Sequence, residues 1–81
     1  MTFIVTSGLE NWGVLEEEET NQFENFEGAL EEANAYKSAA LTQDNEAEVT
    51  DEEINAAAGR AKIKINMPSQ GTFVITIHPM V

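Results

Sequence analysis

Two alternating stretches in the last third of the chain constrain its fold more than any other feature. Ala61-Lys62-Ile63-Lys64-Ile65-Asn66 sets an apolar side chain at every second position, and Thr72-Phe73-Val74-Ile75-Thr76-Ile77 does the same along Phe73, Ile75 and Ile77. A period of two marks a strand with one buried face. Met67-Pro68-Ser69-Gln70-Gly71 separates the stretches and reads as a turn. That loop sets Ile65 opposite Phe73, Ile63 opposite Ile75 and Ala61 opposite Ile77, so the apolar sides of the two strands are continuous. Lys62, Lys64, Thr76 and His78 then fall on the other face.

A second pair of strands is expected at the beginning. Thr2-Phe3-Ile4-Val5-Thr6 is rich in β-branched and aromatic residues and runs into Ser7-Gly8, which predicts a strand followed by a turn over Ser7 to Asn11. The next strand is expected from Trp12 to about Glu17. Glu16-Glu17-Glu18-Glu19 cannot be buried without partners, so that run must be solvated.

From Phe26 the period changes to 3.6, with Phe26, Ala29, Leu30, Ala33, Tyr36 and Ala40 along one stripe and Glu24, Glu27 and Glu31 on another face. This predicts a helix capped by Asn21 or Asn25 and fading near Thr42. Gly28, in its first turns, marks a close approach to the sheet. Gln43 to Glu48 is polar and unpatterned and reads as a loop. Thr50-Asp51-Glu52-Glu53 has the form of a capping box, which predicts a short second helix through Ile54, Ala57 and Ala58, ended by a left-handed Gly59.

The expected product is one α+β domain over residues 1–81, in ββααββ order. An antiparallel sheet of about four strands carries one main helix on one face, with a short second helix. Phe3, Val5, Trp12, Val14, Ile63, Ile65, Phe73, Ile75 and Ile77 should meet Phe26, Leu30, Ala33 and Tyr36. No internal repeat is present.

The chain has 81 residues and no cysteine, so neither disulfides nor a Cys/His zinc set are available to it. The N-terminus has no basic segment ahead of an apolar run, as a signal peptide would, and no stretch approaches the ~18 apolar residues that span a bilayer. A cytoplasmic location is expected. The formal net charge is −11, with all fifteen acidic residues between Glu10 and Glu53 and three of the four basic ones, Arg60, Lys62 and Lys64, after them. Such a charge opposes direct contact with nucleic acid or anionic membranes and favours basic partners.

Few residues here suit catalysis, which needs a group titrating near neutrality, an activated nucleophile or a metal. His78 is the one histidine, next to Pro79 and three residues from the end; Ser7, Ser38 and Ser69 lie in no nucleophile motif. Asp44, Glu46 and Glu48, followed by Asp51 and Glu52, loosely resemble a calcium loop but lack its sixth-position glycine and its twelfth-position glutamate. No enzyme activity, metal or cofactor is expected. Trp12 and Tyr36 are read as core residues, and Lys62 and Lys64 as edge protection or as partners of glutamates.

The acidic surface remains. Carboxylates three or four apart on a helix stand ~5–6 Å from one another, broadly like successive phosphates of a nucleic-acid strand. The leading expectation is therefore a non-catalytic inhibitor that mimics phosphates with Glu16, Glu17, Glu18, Glu19, Glu24, Glu27, Glu31, Asp51, Glu52 and Glu53, and blocks a nucleic-acid-binding protein. In size and charge alone it is similar to the acidic proteins with which bacteriophages disable host nucleases, restriction systems or CRISPR complexes. The alternative is a structural or adaptor module, as a monomer or a homodimer, whose acidity serves solubility.

Overall fold

The computed structural model describes residues 2–11, 14–68 and 70–80, with side chains described at 2–10, 19–68 and 70–80. Strands β1 (Phe3–Asn11) and β2 (Val14–Phe23) lead into helix α1 (Phe26–Gln43), which is followed by β3 (Glu48–Asn55), β4 (Arg60–Met67) and β5 (Gly71–Pro79). The class is α+β as expected, but with five strands and one helix among the described residues. All neighbours in the sheet are antiparallel, in the order β2-β1-β5-β4-β3.

The β4–β5 hairpin has the register its sequence demands, with Ala61, Ile63 and Ile65 opposite Ile77, Ile75 and Phe73. Ala61, Ile63, Ile65 and Met67 are all buried, while Lys62 and Asn66 between them are exposed. β1 joins the other side of β5, with Val5 opposite Ile77 and Leu9 opposite Phe73. The central strands thus present one continuous apolar face.

Two expectations fail here. The first hairpin does not turn at Ser7 to Asn11; β1 runs straight through Gly8, and its odd-numbered side chains Phe3, Val5, Ser7 and Leu9 share the core face. β2 is correspondingly longer, carrying the four-glutamate run and ending at Phe23, with a register shift between Ser7 and Leu9. A run of glutamates is tolerable in a strand because β2 is an edge, with water along one side. The expected core residue Trp12 lies outside the described residues, as does the side chain of Val14.

The second failure is larger: the short helix is strand β3. Thr50 does not cap anything; its hydroxyl donates to the Lys64 carbonyl at 3.4 Å, beside the register shift between Val49 and Asp51. β4 has two ladders to fill, and β3 supplies the one that β5 does not. Packing here overrides a local helix signal that had only Ile54 as a large apolar residue, too little for a stable stripe. Gly59 is left-handed as anticipated, at φ 68°, but it closes the β3–β4 hairpin. Ala58 N–H donates to the Asn55 carbonyl and side chain there, and Gly59 N–H to the Ala56 carbonyl.

Helix α1 connects the two edges of the sheet. Its eighteen residues span ~27 Å, enough to cross five strands whose outer members lie about 19 Å apart. Asn25 caps it, Oδ1 accepting from Gly28 N–H at 2.7 Å, while Asn21 belongs to β2. A Cβ on Gly28 would stand 3.1 Å from that same Oδ1, so this glycine accommodates the cap and Phe23. Ala29, Ala33 and Ala40 are buried against the sheet, and Phe26 meets Phe3 edge to face at 5.7 Å. One hydrophobic cluster results, with Phe23, Leu30, Tyr36, Val49 and Phe73 at its margin.

Candidate acidic interface

Strand parity decides where the acidic side chains point. In β3, Glu52 is opposite the buried Ile63 and so lies on the helix side, whereas Asp51 is opposite Lys64 and Glu53 opposite Lys62, on the open face of the sheet. Glu52 accepts from the Lys37 ammonium of α1 at 3.1 Å, an ion pair that joins the helix to this edge. On the other edge, Glu19 is opposite the core-facing Ser7 and is also on the helix side. Tyr36 reaches it from α1: the phenol donates to Glu19 Oε2 at 3.2 Å and accepts from Asn21 Nδ2 at 3.0 Å. Burial, and then the hydrogen bond to Glu19, raise the Tyr36 pKa above its ordinary value.

Glu24, in the β2–α1 connection, and Glu27 and Glu31, one turn apart on α1, are all exposed. The helix side therefore carries Glu19, Glu24, Glu27, Glu31 and Glu52. Asp51 and Glu53 are not with them; they share the opposite face with lysines. The backbone of Glu16 to Glu18 lies on the β2 edge, and their side chains lie outside the described residues. The ten residues grouped by sequence are thus divided between two edges and two faces.

The open face is mixed, with Glu10, Glu48, Asp51 and Glu53 beside its basic residues. Arg60, Lys62 and Lys64 alternate along β4 on this side, and a groove of about 530 Å³ brings Arg60, Lys62 and His78 together with Glu53. The sequence places Lys62 and Lys64 on the right face but not at an edge: β4 lies between β5 and β3, and the acids opposite them belong to a strand that reads locally as a helix. Among the described residues, no three His, Asp or Glu side chains converge as a metal ion would require. Asp44 Oδ1 accepts instead from Glu46 N–H at 3.0 Å, within the turn that leads to β3.

The sequence missed the contacts of Lys37 and Tyr36, since both join positions fifteen or more apart. No signal within the helix itself identifies those partners. Ser7, taken as a turn residue, was recoverable: the apolar odd positions continue past it to Leu9. Among the described residues no helix is long and apolar enough to cross a membrane. The chain matches no known family model, no curated protein and no solved structure. Its described residues form a small α+β fold, one helix laid across a five-stranded antiparallel sheet, with Arg60, Lys62 and Lys64 on the side away from the helix.

Proposed function

We propose that the protein is a non-catalytic inhibitor whose acidic helix side occupies the basic channel of a nucleic-acid-binding protein. The observation that supports this reading is the placement of the basic residues. Arg60, Lys62 and Lys64 are turned to the open sheet face, and Lys37, the one Lys or Arg on the helix side, is already held by Glu52. What faces outward on that side is dominated by carboxylates. Glu27 and Glu31 sit on a helix that both ends and packing hold in place, so bringing them to a row of arginines and lysines costs little conformational freedom. Release of the counterions held by both partners then favours the complex.

The residues assigned to this surface are Glu19, Glu24, Glu27, Glu31 and Glu52; Asp51 and Glu53 form a lesser part because Lys64 and Lys62 stand opposite them. Nucleases, restriction enzymes and CRISPR complexes are the kind of target that offers such a channel. Direct contact with nucleic acid is opposed by the net charge of −11.

Capture on the immobilised full chain from a cell lysate tests the proposal. A nucleic-acid-binding protein should be retained at low salt and released by salt or by competing DNA or RNA. The combined change Glu24→Gln, Glu27→Gln and Glu31→Gln should abolish retention. Retention indifferent to salt, to competitor and to these changes overturns the proposal.

A second reading is favoured by the two sheet edges, β2 and β3, whose outward backbone groups pair with no other strand among the described residues. An adaptor could add a partner's strand there, or a second copy could dock. Eight acids on these two strands, Glu16 to Glu19, Glu48 and Asp51 to Glu53, make a copy of the same edge a poor partner.

A further inference from the structure

A cavity of about 290 Å³ lies between the second half of α1 and the β2-β1-β5 side of the sheet. This is near the lower limit of ordinary small-molecule sites, roughly 300–1,000 Å³. Leu9, Met67 and Phe73 provide its apolar wall, and Ser7, Glu19, Tyr36 and two glutamines its polar part. Ser7 is 3% exposed and sits on the core-facing side of β1, at the wall of this cavity.

Among the described residues Glu19 is the one charged group of this wall, and it is not loosely placed. Tyr36 donates to its Oε2, leaving Oε1 to accept from something else. Ser7 and Glu19 are direct cross-strand neighbours on the same face, so both oxygens are within reach of a single donor head. An ammonium, with three donors and no acceptor, satisfies both at once. A carboxylate or phosphate would meet Glu19 and the field of a molecule of net charge −11.

We propose that this cavity binds a small amphipathic primary amine, its ammonium held between Glu19 and Ser7 and its apolar or aromatic body lying against Leu9, Met67 and Phe73. The site goes beyond the acidic interface and shares only Glu19 with it. Phenethylamine is a suitable probe, titrated into the full chain and followed by NMR at the Met67 and Leu9 methyl groups and the Phe73 ring. 3-Phenylpropionate, with a similar body and opposite charge, and methylammonium, with the charge and no body, are the comparators. Saturable shifts with phenethylamine alone are expected. Glu19→Gln, on an exposed edge position, should weaken binding roughly tenfold, and Ser7→Ala should weaken it by a smaller factor.

Absence of saturation at millimolar phenethylamine overturns the proposal. So do equal shifts with 3-phenylpropionate, which would leave only an unselective apolar gap, or with methylammonium, which would mean simple counterion attraction. Binding unchanged by both Glu19→Gln and Ser7→Ala would overturn it as well. None of these results depends on whether a nucleic-acid-binding partner exists.

Discussion

At Gly59 the backbone and the core make one demand. Its φ of 68° is a conformation that costs a side chain about 1–2 kcal/mol, and a Cβ there would stand 2.6 Å from Cε1 of Phe3, a buried ring. Relieving that overlap means moving Phe3 and with it the Phe26 contact, a further cost of about 1–3 kcal/mol. Gly59→Ala should therefore lower unfolding stability by about 2–5 kcal/mol in a denaturant titration. Tyr36 offers a residue-scale test of a different kind, since it is the single tyrosine and its phenolate absorbance can be followed alone. It should ionise above the ordinary ~10, and Glu19→Gln should bring it back toward that value. Between the ordinary and the raised value the unfolded chain has released the proton while the folded one keeps it. Stability from this group is thus present below the ordinary value and falls as pH rises through the window.

Among the elements, β3 is the one whose identity depends on its neighbours. Its attachments are the β4 ladder, the half-buried Val49 and the Lys37–Glu52 ion pair, whose side chains are 27% and 35% exposed. A pair so open to solvent should couple by only about 0.2–1 kcal/mol, measured by a cycle of Lys37→Met and Glu52→Gln, and the coupling should shrink with added salt. A coupling near zero at low salt would mean that the contact does not fasten the strand. The same element explains what could be read from the sequence. β4 and β5 were legible because alternation alone fixes both their faces and their register. The helix was legible because Phe26, Ala29, Ala33 and Ala40 repeat at its period. β3 was not, because Thr50 to Glu53 imitates a helix start, and only the unfilled side of β4 reveals that a strand is needed. β2 was cut short by its glutamates, which an edge strand carries without penalty. The site inherited both errors: Glu24, Glu27 and Glu31 were grouped correctly by helical spacing, but Asp51, Glu52 and Glu53 were grouped by adjacency, whereas a strand sends neighbours to opposite faces.

For the whole molecule, the question is what offsets a net charge of −11 on a body 37 × 21 × 17 Å across. Placing eight of the acids on the two edge strands gives the charge a structural use independent of any partner, because each edge then repels a copy of itself. Repulsion within the molecule is the accompanying cost. At about 0.01 M ionic strength the screening length is ~30 Å, comparable with the molecule, so most acids repel one another; at about 0.15 M it is ~8 Å, and only near neighbours do. The native state should therefore gain stability over that range, seen as a rising melting temperature with sodium chloride. Screening also weakens the Lys37–Glu52 pair, but that pair is too small to reverse the trend. Neutralising one edge through Asp51→Asn, Glu52→Gln and Glu53→Gln should flatten the salt dependence. The same change should promote concentration-dependent association, detectable by sedimentation, since β3 then offers an eight-residue edge with its guarding charges reduced to Glu48. If the variant stays monomeric while its salt dependence flattens, repulsion is relieved without exposing an adhesive edge. The acids of β3 would then have no role in keeping copies apart, and their use would have to lie in contact with another molecule.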